Sequence, residues 1–521
     1  MNILIGAFWI LLAVICFVDA RRWNRLGKMT LYRFFLLDGK LRLGGFVATM
    51  TAANLSIGNF LVFVASWGYL FGPVGIFWFV INLIMNVVGF RFFFPAFKSY
   101  IEDHGNSGTI HDYLSGAFSH DAPHLRSYIR IGASIITVVG LLFAIVFELS
   151  LAVDLLAPGG PLDRVVLFSC LTFLICLFTS YGGFKTLITT DICQSLMLAI
   201  ATIAMVVLMG IGFSRHQKPI ADYLWHSGNW GTFGWPNVVT ILVIGTGWML
   251  VAMDQWQRTC AARSYPTSLK GVYIYLGIVA MFGLAYGCWG MYDNRVILPM
   301  LNAEQLKHHL GDSNPLADLP LLSTGSGRSG GILAVVFCGL VAAALSTTNT
   351  FLTVCSHSIT SDVLVVSLAK RSIHDLKSDE QRLFVGVARS VIVGMGALVI
   401  ITYAIFIYGQ FLTDALNFFF IAYSVQFALL APMVMSALTT KLRPGAIAAL
   451  TSISLGFLTS LIAGFSFWEA TQQKAGPWFG IAASDWLALT PALTLLVGLV
   501  PLCLAAVRRR IGGDATSFGT H

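Results

Sequence analysis

The run Ala343-Ala344-Leu345-Ser346-Thr347-Thr348-Asn349-Thr350 sets five consecutive hydroxyl or amide side chains at the end of an apolar stretch that begins at Gly331. A second polar group, Thr49, Thr51, Asn54, Ser56 and Asn59, interrupts another apolar stretch beside Gly58. Hydrocarbon offers such atoms no partner, so they must satisfy one another, bind an ion or line a solute path. Asn and Ser compete for backbone hydrogen bonds, and Gly58 lowers the cost of unwinding. An unwound turn at that depth frees carbonyls that can coordinate a cation. Two carboxylates, Glu148 and Asp191, lie in or beside apolar runs as well. The chemistry suggested is ion and solute translocation.

The elements that must position these residues are membrane helices. The chain has 521 residues, 57% hydrophobic and 11% charged, with a mean hydropathy of +0.79. A soluble chain of this size would carry roughly 25% charged residues. Spans of about 20 apolar residues cross a bilayer. Thirteen segments of that kind fall near 2–18, 43–70, 73–97, 127–156, 163–180, 186–212, 235–255, 271–296, 330–360, 384–409, 413–436, 445–466 and 485–507. The expected class is therefore an all-α polytopic membrane protein with 13 transmembrane helices.

Net charge is +8, yet Arg21, Arg22, Arg25, Lys28, Arg33, Lys40 and Arg42 crowd one loop. That is positive-inside patterning, without the platforms of a nucleic-acid fold, so no nucleic-acid partner is expected. Counting Arg258, Lys441 and Arg508-Arg509-Arg510 on the same side puts the N-terminus outside and the C-terminus inside a cell membrane. A bacterial cytoplasmic membrane is the expected setting. The nine cysteines form no CxxC pair and read as small buried hydrophobes. Segment 1–18 lacks a basic leader and cleavage site and reads as an uncleaved helix. His104, His111, His120 and His124 share one inner loop without metal spacing and read as solvated. Short surface helices are expected within 98–126 and 363–383, and coverings of the outer face within 213–234 and 297–329. No Walker motif appears, so an ion gradient rather than an ATPase subunit should supply the energy.

Gly245-Thr246-Gly247-Trp248 marks a second weak point, in a segment that starts five crossings after 43–70. Equivalent weak helices suggest a five-plus-five inverted repeat with discontinuous first and sixth core helices. The expected organisation is a leading helix and basic loop at 1–42, repeats at 43–212 and 235–436 separated by an outer loop at 213–234, and two peripheral helices with a basic tail at 437–521.

Three motifs resemble the sodium:solute symporter family: Tyr181-Gly182-Gly183-Phe184-Lys185-Thr186-Leu187-Ile188-Thr189-Thr190-Asp191-Ile192-Cys193-Gln194, Gln257-Arg258 followed by Ala261-Ala262-Arg263-Ser264, and Ala344-Leu345-Ser346-Thr347 running to Asp362. The resemblance covers the topology of about residues 1–510. It implies a sodium ion held by the carbonyls of Ala52, Leu55 and Ala343 and the hydroxyls of Ser346 and Thr347. It also implies a possible second sodium at Asp191, Ser346, Asn349 and Thr350, against which stand an N-cap role for Asp191 and a proton-coupled variant. The bland reading of Ser346 and Thr347 is bonding to carbonyls one turn back.

Solute should bind beside the broken helices, where Asn59, Glu148, Trp248, Trp289, Asn417, Tyr423 and Gln426 are candidates. The resemblance places Asn59 and Gln426 where related carriers use amides, and the alternative is that both tie helices together. Glu148 can pair with a solute amine, take a proton or hold a neighbouring helix through a serine. It leans the solute toward an amine-containing or neutral molecule. Asp254 is given no solute role, because aligning on Asp254-Gln255 or on Gln257-Arg258 gives different registers. The expected activity is sodium-coupled uptake of a small polar organic solute by alternating access. A solute sensor working with a separate partner is the alternative, and no enzyme constellation is evident. Oligomerisation is not required by any of these readings.

Overall fold

A computed structural model describes residues 2–25, 29–104, 108–156, 160–216, 233–293, 329–369, 373, 376–409, 415–438, 444–473 and 481–517. Within them the chain is helical, apart from short turns and one bridge between Leu41 and Ala262. The helices are α1 (Asn2–Arg25), α2 (Leu31–Leu36), α3 (Leu43–Asn54), α4 (Phe63–Phe71), α5 (Pro73–His104), α6 (Ile110–Phe118), α7 (Arg126–Leu156) and α8 (Pro161–His216). There follow α9 (Gly234–Val251), α10 (Met253–Ala261), α11 (Tyr265–Tyr292), α12 (Ser329–Ser358), α13 (Ser378–Tyr408), α14 (Ala415–Phe427), α15 (Leu430–Leu438), α16 (Ala446–Gln472) and α17 (Ala483–Ser517). Ten helices among the described residues are long and apolar enough to cross a membrane, so this is a multi-pass membrane protein.

One of the ten, Pro161–Ile211, runs for 51 residues and takes in the segments expected at 163–180 and 186–212. It bends at Gly183, whose φ of 57° and ψ of −145° are closed to residues with a Cβ. A Cβ there would also sit 2.6 Å from the Phe34 carbonyl oxygen. The Tyr181-Gly182-Gly183 motif is thus a bend braced against α2.

Burial separates core helices from lipid-facing ones. In the most apolar stretch of Gly331–Ala369, 83% of residues are buried, against 28% for Ser378–Tyr408. Accordingly α12 sits at the centre, against α3, α7, α8 and α13. The outer helices point Phe92, Met281 and Ile447 outward, as a lipid solvent allows.

Three helices are broken. After α3 the chain turns at Leu55 (φ −83°, ψ 51°) and extends at Ser56 (φ −72°, ψ 155°), then resumes through a wide π-helical turn, Ile57–Val62. This is the interruption expected between Thr51 and Asn59. The second break falls at Ala252 (φ −72°, ψ 99°), between α9 and α10, past the expected Gly245–Trp248. Those glycines serve close approach: a Cβ on Gly245 would meet the Asn82 carbonyl oxygen at 2.9 Å, and one on Gly247 would meet Leu430 at 2.6 Å. The third break, at Ala428–Leu429 inside segment 413–436, was not expected. Pro432 has no N–H and its ring clashes with the carbonyl of residue i−4, which is Ala428.

At one end of the bundle, α6 overturns two expectations. It is buried along nearly its whole length rather than lying on the surface. His111 is buried rather than solvated, with Nδ1 2.7 Å from an Asp362 oxygen and Nε2 2.9 Å from Thr137 Oγ1. Asp362 also accepts from Arg130 Nε at 2.6 Å and Thr109 at 3.0 Å, and Arg130 reaches Asp112 at 3.0 Å. This buried network fastens α6 and α7 to the π-helical turns that follow α12. His120 is exposed as expected, 2.8 Å from Arg509. Residues 217–232 and 294–328, which hold most of the two expected outer coverings, lie outside the described residues.

Candidate functional site

Between the first and second of these breaks lies a cavity bounded by α3, α4, α5, α9, α10, α11, α12 and α14. Asn54 and Ser56 enter it from the first break, Asp254 and Gln255 from the second, and Asn82 and Asn86 from α5. Trp67, Phe63, Trp248, Tyr275 and Tyr423 supply aromatic faces, with Trp248 and Tyr423 at a ring separation of 4.5 Å. The Ser56 hydroxyl and the Gln255 carbonyl oxygen are buried without a hydrogen-bond partner. Among the described residues lining this cavity none is basic. Its chemistry is that of an aromatic box with amide edges and one carboxylate.

The first-sodium candidates lie on α3, just past its end, and on α12, two helices that pack against each other. α3 ends at Asn54, and the Leu55 N–H beyond it donates to the Thr51 carbonyl at 2.9 Å, leaving the helix's last carbonyls without a partner in the next turn of the same helix. On α12, the Thr347 hydroxyl donates to the Ala343 carbonyl at 3.1 Å, and Ser346 donates to Asp191 Oδ1 at 2.7 Å. Thr347 thus bonds one turn back, as the bland reading has it, while Ser346 reaches across to α8. Hydroxyls that give away their proton keep lone pairs able to ligate a cation.

Asp191 lies eight residues beyond the Gly183 bend, more than two turns inside the helix, so it does not cap a helix start. Its carboxylate accepts from Thr49 and Ser346 and lies 3.7 Å from Arg258 Nη2. Arg258 was expected on the inner surface, but is wholly buried. It donates to Thr49 Oγ1 at 3.0 Å, to Thr350 Oγ1 at 2.8 Å, and to the Asp254 carbonyl and Oδ2 at 3.0 and 3.3 Å. Those acceptors explain how a guanidinium is tolerated at that depth. Asn349 accepts from Thr179 and donates to Thr190 Oγ1 at 3.0 Å.

Of the solute candidates, Trp248 and Tyr423 line the cavity. Glu148 does not: its Oε2 accepts the backbone N–H of Gly58 at 3.0 Å, at the start of the resumed helix. A carboxylate is favoured there by the exposed amides of a helix N-terminus, so Glu148 holds a neighbouring helix through a backbone amide rather than through the expected serine. Trp289 is buried outside the cavity, 5.7 Å ring to ring from Tyr292. Its neighbour Gly290 lets α11 close onto α4, since a Cβ there would meet the Ala65 carbonyl at 1.8 Å. Gln426 is buried outside the cavity beside Gly140, with both amide atoms lacking a hydrogen-bond partner. The side chains of Asn59 and Asn417 lie outside the described residues.

Sequence reasoning passed over Asn82, Asn86, Asp254, Gln255 and Tyr275. A usable signal existed for two of them, because Asp254-Gln255 directly follows the second break. Asn82 and Asn86 are spaced i, i+4 on an apolar helix, with Asn86 Nδ2 donating to the Asn82 carbonyl at 2.9 Å.

Comparison with solved structures settles the architecture. A Na+-coupled sialic acid symporter in a substrate-bound outward-open state superposes with a TM-score of 0.68 at 16% identity, over 96% of this chain and 97% of that one. Mhp1, a nucleobase-cation-symport-1 family transporter closed on bromovinylhydantoin, gives 0.52 at 14% identity over 90% and 95%. A manganese transporter variant from Eremococcus coleocola gives 0.50 at 13% identity over 90% and 95%. This chain has the fold of these transporters. The three carry unlike cargoes, so the fold alone does not choose this chain's solute. No family model matches the chain, and no curated protein does.

Proposed function

We propose that this protein is a sodium-coupled symporter that takes up a small amine-containing or neutral organic solute. The observation that carries the proposal is the cavity between the first and second breaks, lined among the described residues by Asp254, amides and aromatic rings and by no base. Ring faces and a carboxylate suit a cation or a hydrogen-bonding neutral ring; Arg258, the base 3.3 Å from Asp254 Oδ2, is not among the described lining residues. Trp248, Tyr423, Asp254, Gln255, Asn82 and Asn86 are assigned to the solute.

The sodium ion, a cargo of the cycle, is assigned to the carbonyls of Ala52, Leu55 and Ala343 and the hydroxyls of Ser346 and Thr347. Binding there would join α3 to α12 and set Asn54 and Ser56 against the cavity. Sodium and solute then raise each other's affinity, because coupling between sites is reciprocal. The proposal includes thirteen crossings with the N-terminus outside, repeats at 43–212 and 235–436, and a place in the sodium:solute symporter family, on the three motifs that resemble it.

The test is thermal stability of the purified protein against a solute library in NaCl and in KCl. An amine or neutral solute should raise the melting temperature in sodium and much less in potassium. Stabilisation by carboxylates alone, or equal stabilisation in both salts, would overturn the assignment.

A further inference from the structure

The second-sodium candidates Asp191, Ser346, Asn349 and Thr350 do converge, but around a side chain. Arg258 comes from α10, immediately beyond the second break, and its guanidinium lies against Asp191 and Thr350. It uses Nε on Thr49, Nη2 on Thr350 and Nη1 on Asp254, so donors at three corners of the planar fork are engaged. Asn349 turns its oxygen to Thr179 on α8 and its amide nitrogen to Thr190, away from any shared ion. Asp191 Oδ1 holds Ser346, and its Oδ2 holds Thr49. A small hard cation needs several of these oxygens turned to one point; here a fixed positive charge already has them.

We propose that Arg258 is a tethered cation standing in for a second coupling ion at Asp191, so that this carrier binds one sodium per chain. The charge balance supports it. Asp191 and Asp254 are both buried carboxylates, and Arg258 is the cation that the structure places between them. Removing its charge would leave two carboxylates in a water-poor core beside the hydroxyls of Thr49, Ser346 and Thr350. A mobile cation is then the cheapest replacement. The Ser346 oxygen stays available to the first site, since the hydroxyl gives only its proton to Asp191. Because Arg258 follows the second break in the chain, it also ties that break to α3 and α12, where the first sodium is assigned. The inference rests on the sodium-coupled reading above.

The experiment is equilibrium binding of radioactive 22Na+ to the full-length protein in detergent, with no solute needed. One sodium per chain is expected for the wild type, and one for Arg258→Lys. Arg258→Met should bind about two, with a steeper isotherm, and adding Asp191→Asn to it should return the count to one. Should Arg258→Met fail to fold, Asp191→Asn alone decides: a count still at one supports the tethered cation. A wild type that binds two sodiums and falls to one in Asp191→Asn overturns it while leaving sodium coupling intact. A folded Arg258→Met that stays at one overturns it too. A wild type that binds no sodium overturns the underlying reading along with it.

Discussion

Breaking the Arg130–Asp362 pair should show how firmly α6 and α7 are fastened to the turns that follow α12. Both side chains are buried, with Arg130 Nε 2.6 Å from Asp362 Oδ1. Removing one partner of such a pair costs about 3–5 kcal/mol, because the other charge stays behind without water. The two halves are not equal. Arg130→Gln takes the guanidinium from Asp362 and also from Asp112, which it reaches at 3.0 Å, so its cost should lie near the upper end. Asp362→Asn leaves Arg130 its contact with Asp112, so its cost should lie near the lower end. In the double variant neither charge is stranded by the loss of the other, and the cycle should return a coupling of about 1–3 kcal/mol. Equilibrium unfolding in mixed micelles, titrated with a denaturing detergent and followed by tryptophan fluorescence, measures all four states. Additive losses, agreeing within about 0.5 kcal/mol, would refute the reasoning and make the network a set of independent hydrogen bonds.

The same assay tests the first break. Gly58→Ala would place a Cβ 2.5 Å from Phe147 Cε1 and 2.8 Å from Leu151 Cδ1. Overpacking of that kind should cost about 1–3 kcal/mol, and a neutral result would contradict the close approach. Glu148→Gln keeps an acceptor for the Gly58 amide but loses the charge at a helix start, so a loss of about 1 kcal/mol is expected. A larger stability gain than loss would show that the carboxylate serves something other than the helix. Ser346→Ala with Thr347→Ala should erase the difference between melting in NaCl and in KCl, while the fold survives by circular dichroism. Asp254→Asn should weaken an amine solute found by screening at least about tenfold, the cost of roughly one charge-assisted contact, and spare a neutral one.

Membrane class and the break near Gly58 were legible in the sequence because both are local. Hydropathy is summed over about 20 neighbouring residues, and unwinding follows from polar residues beside a glycine within one turn. Tyr181-Gly182-Gly183 stood out only as part of a motif resembling a known family, between two expected helices; that it bends one continuous helix came from the structure. Partner choice across the chain was not legible. Asp191 meets Thr49 from 142 positions away, and Arg258 meets Thr350 from 92. A lone Arg in a polar stretch looks like surface charge until the fold shows two carboxylates beside it. His111 looked solvated because its aspartate lies 251 positions on. Likewise Glu148 faced three open roles on sequence grounds, and the geometry gave it the Gly58 amide. Local sequence decides where a helix can bend; only the packed bundle decides which buried charge finds which partner, because that depends on contacts between segments far apart in the chain.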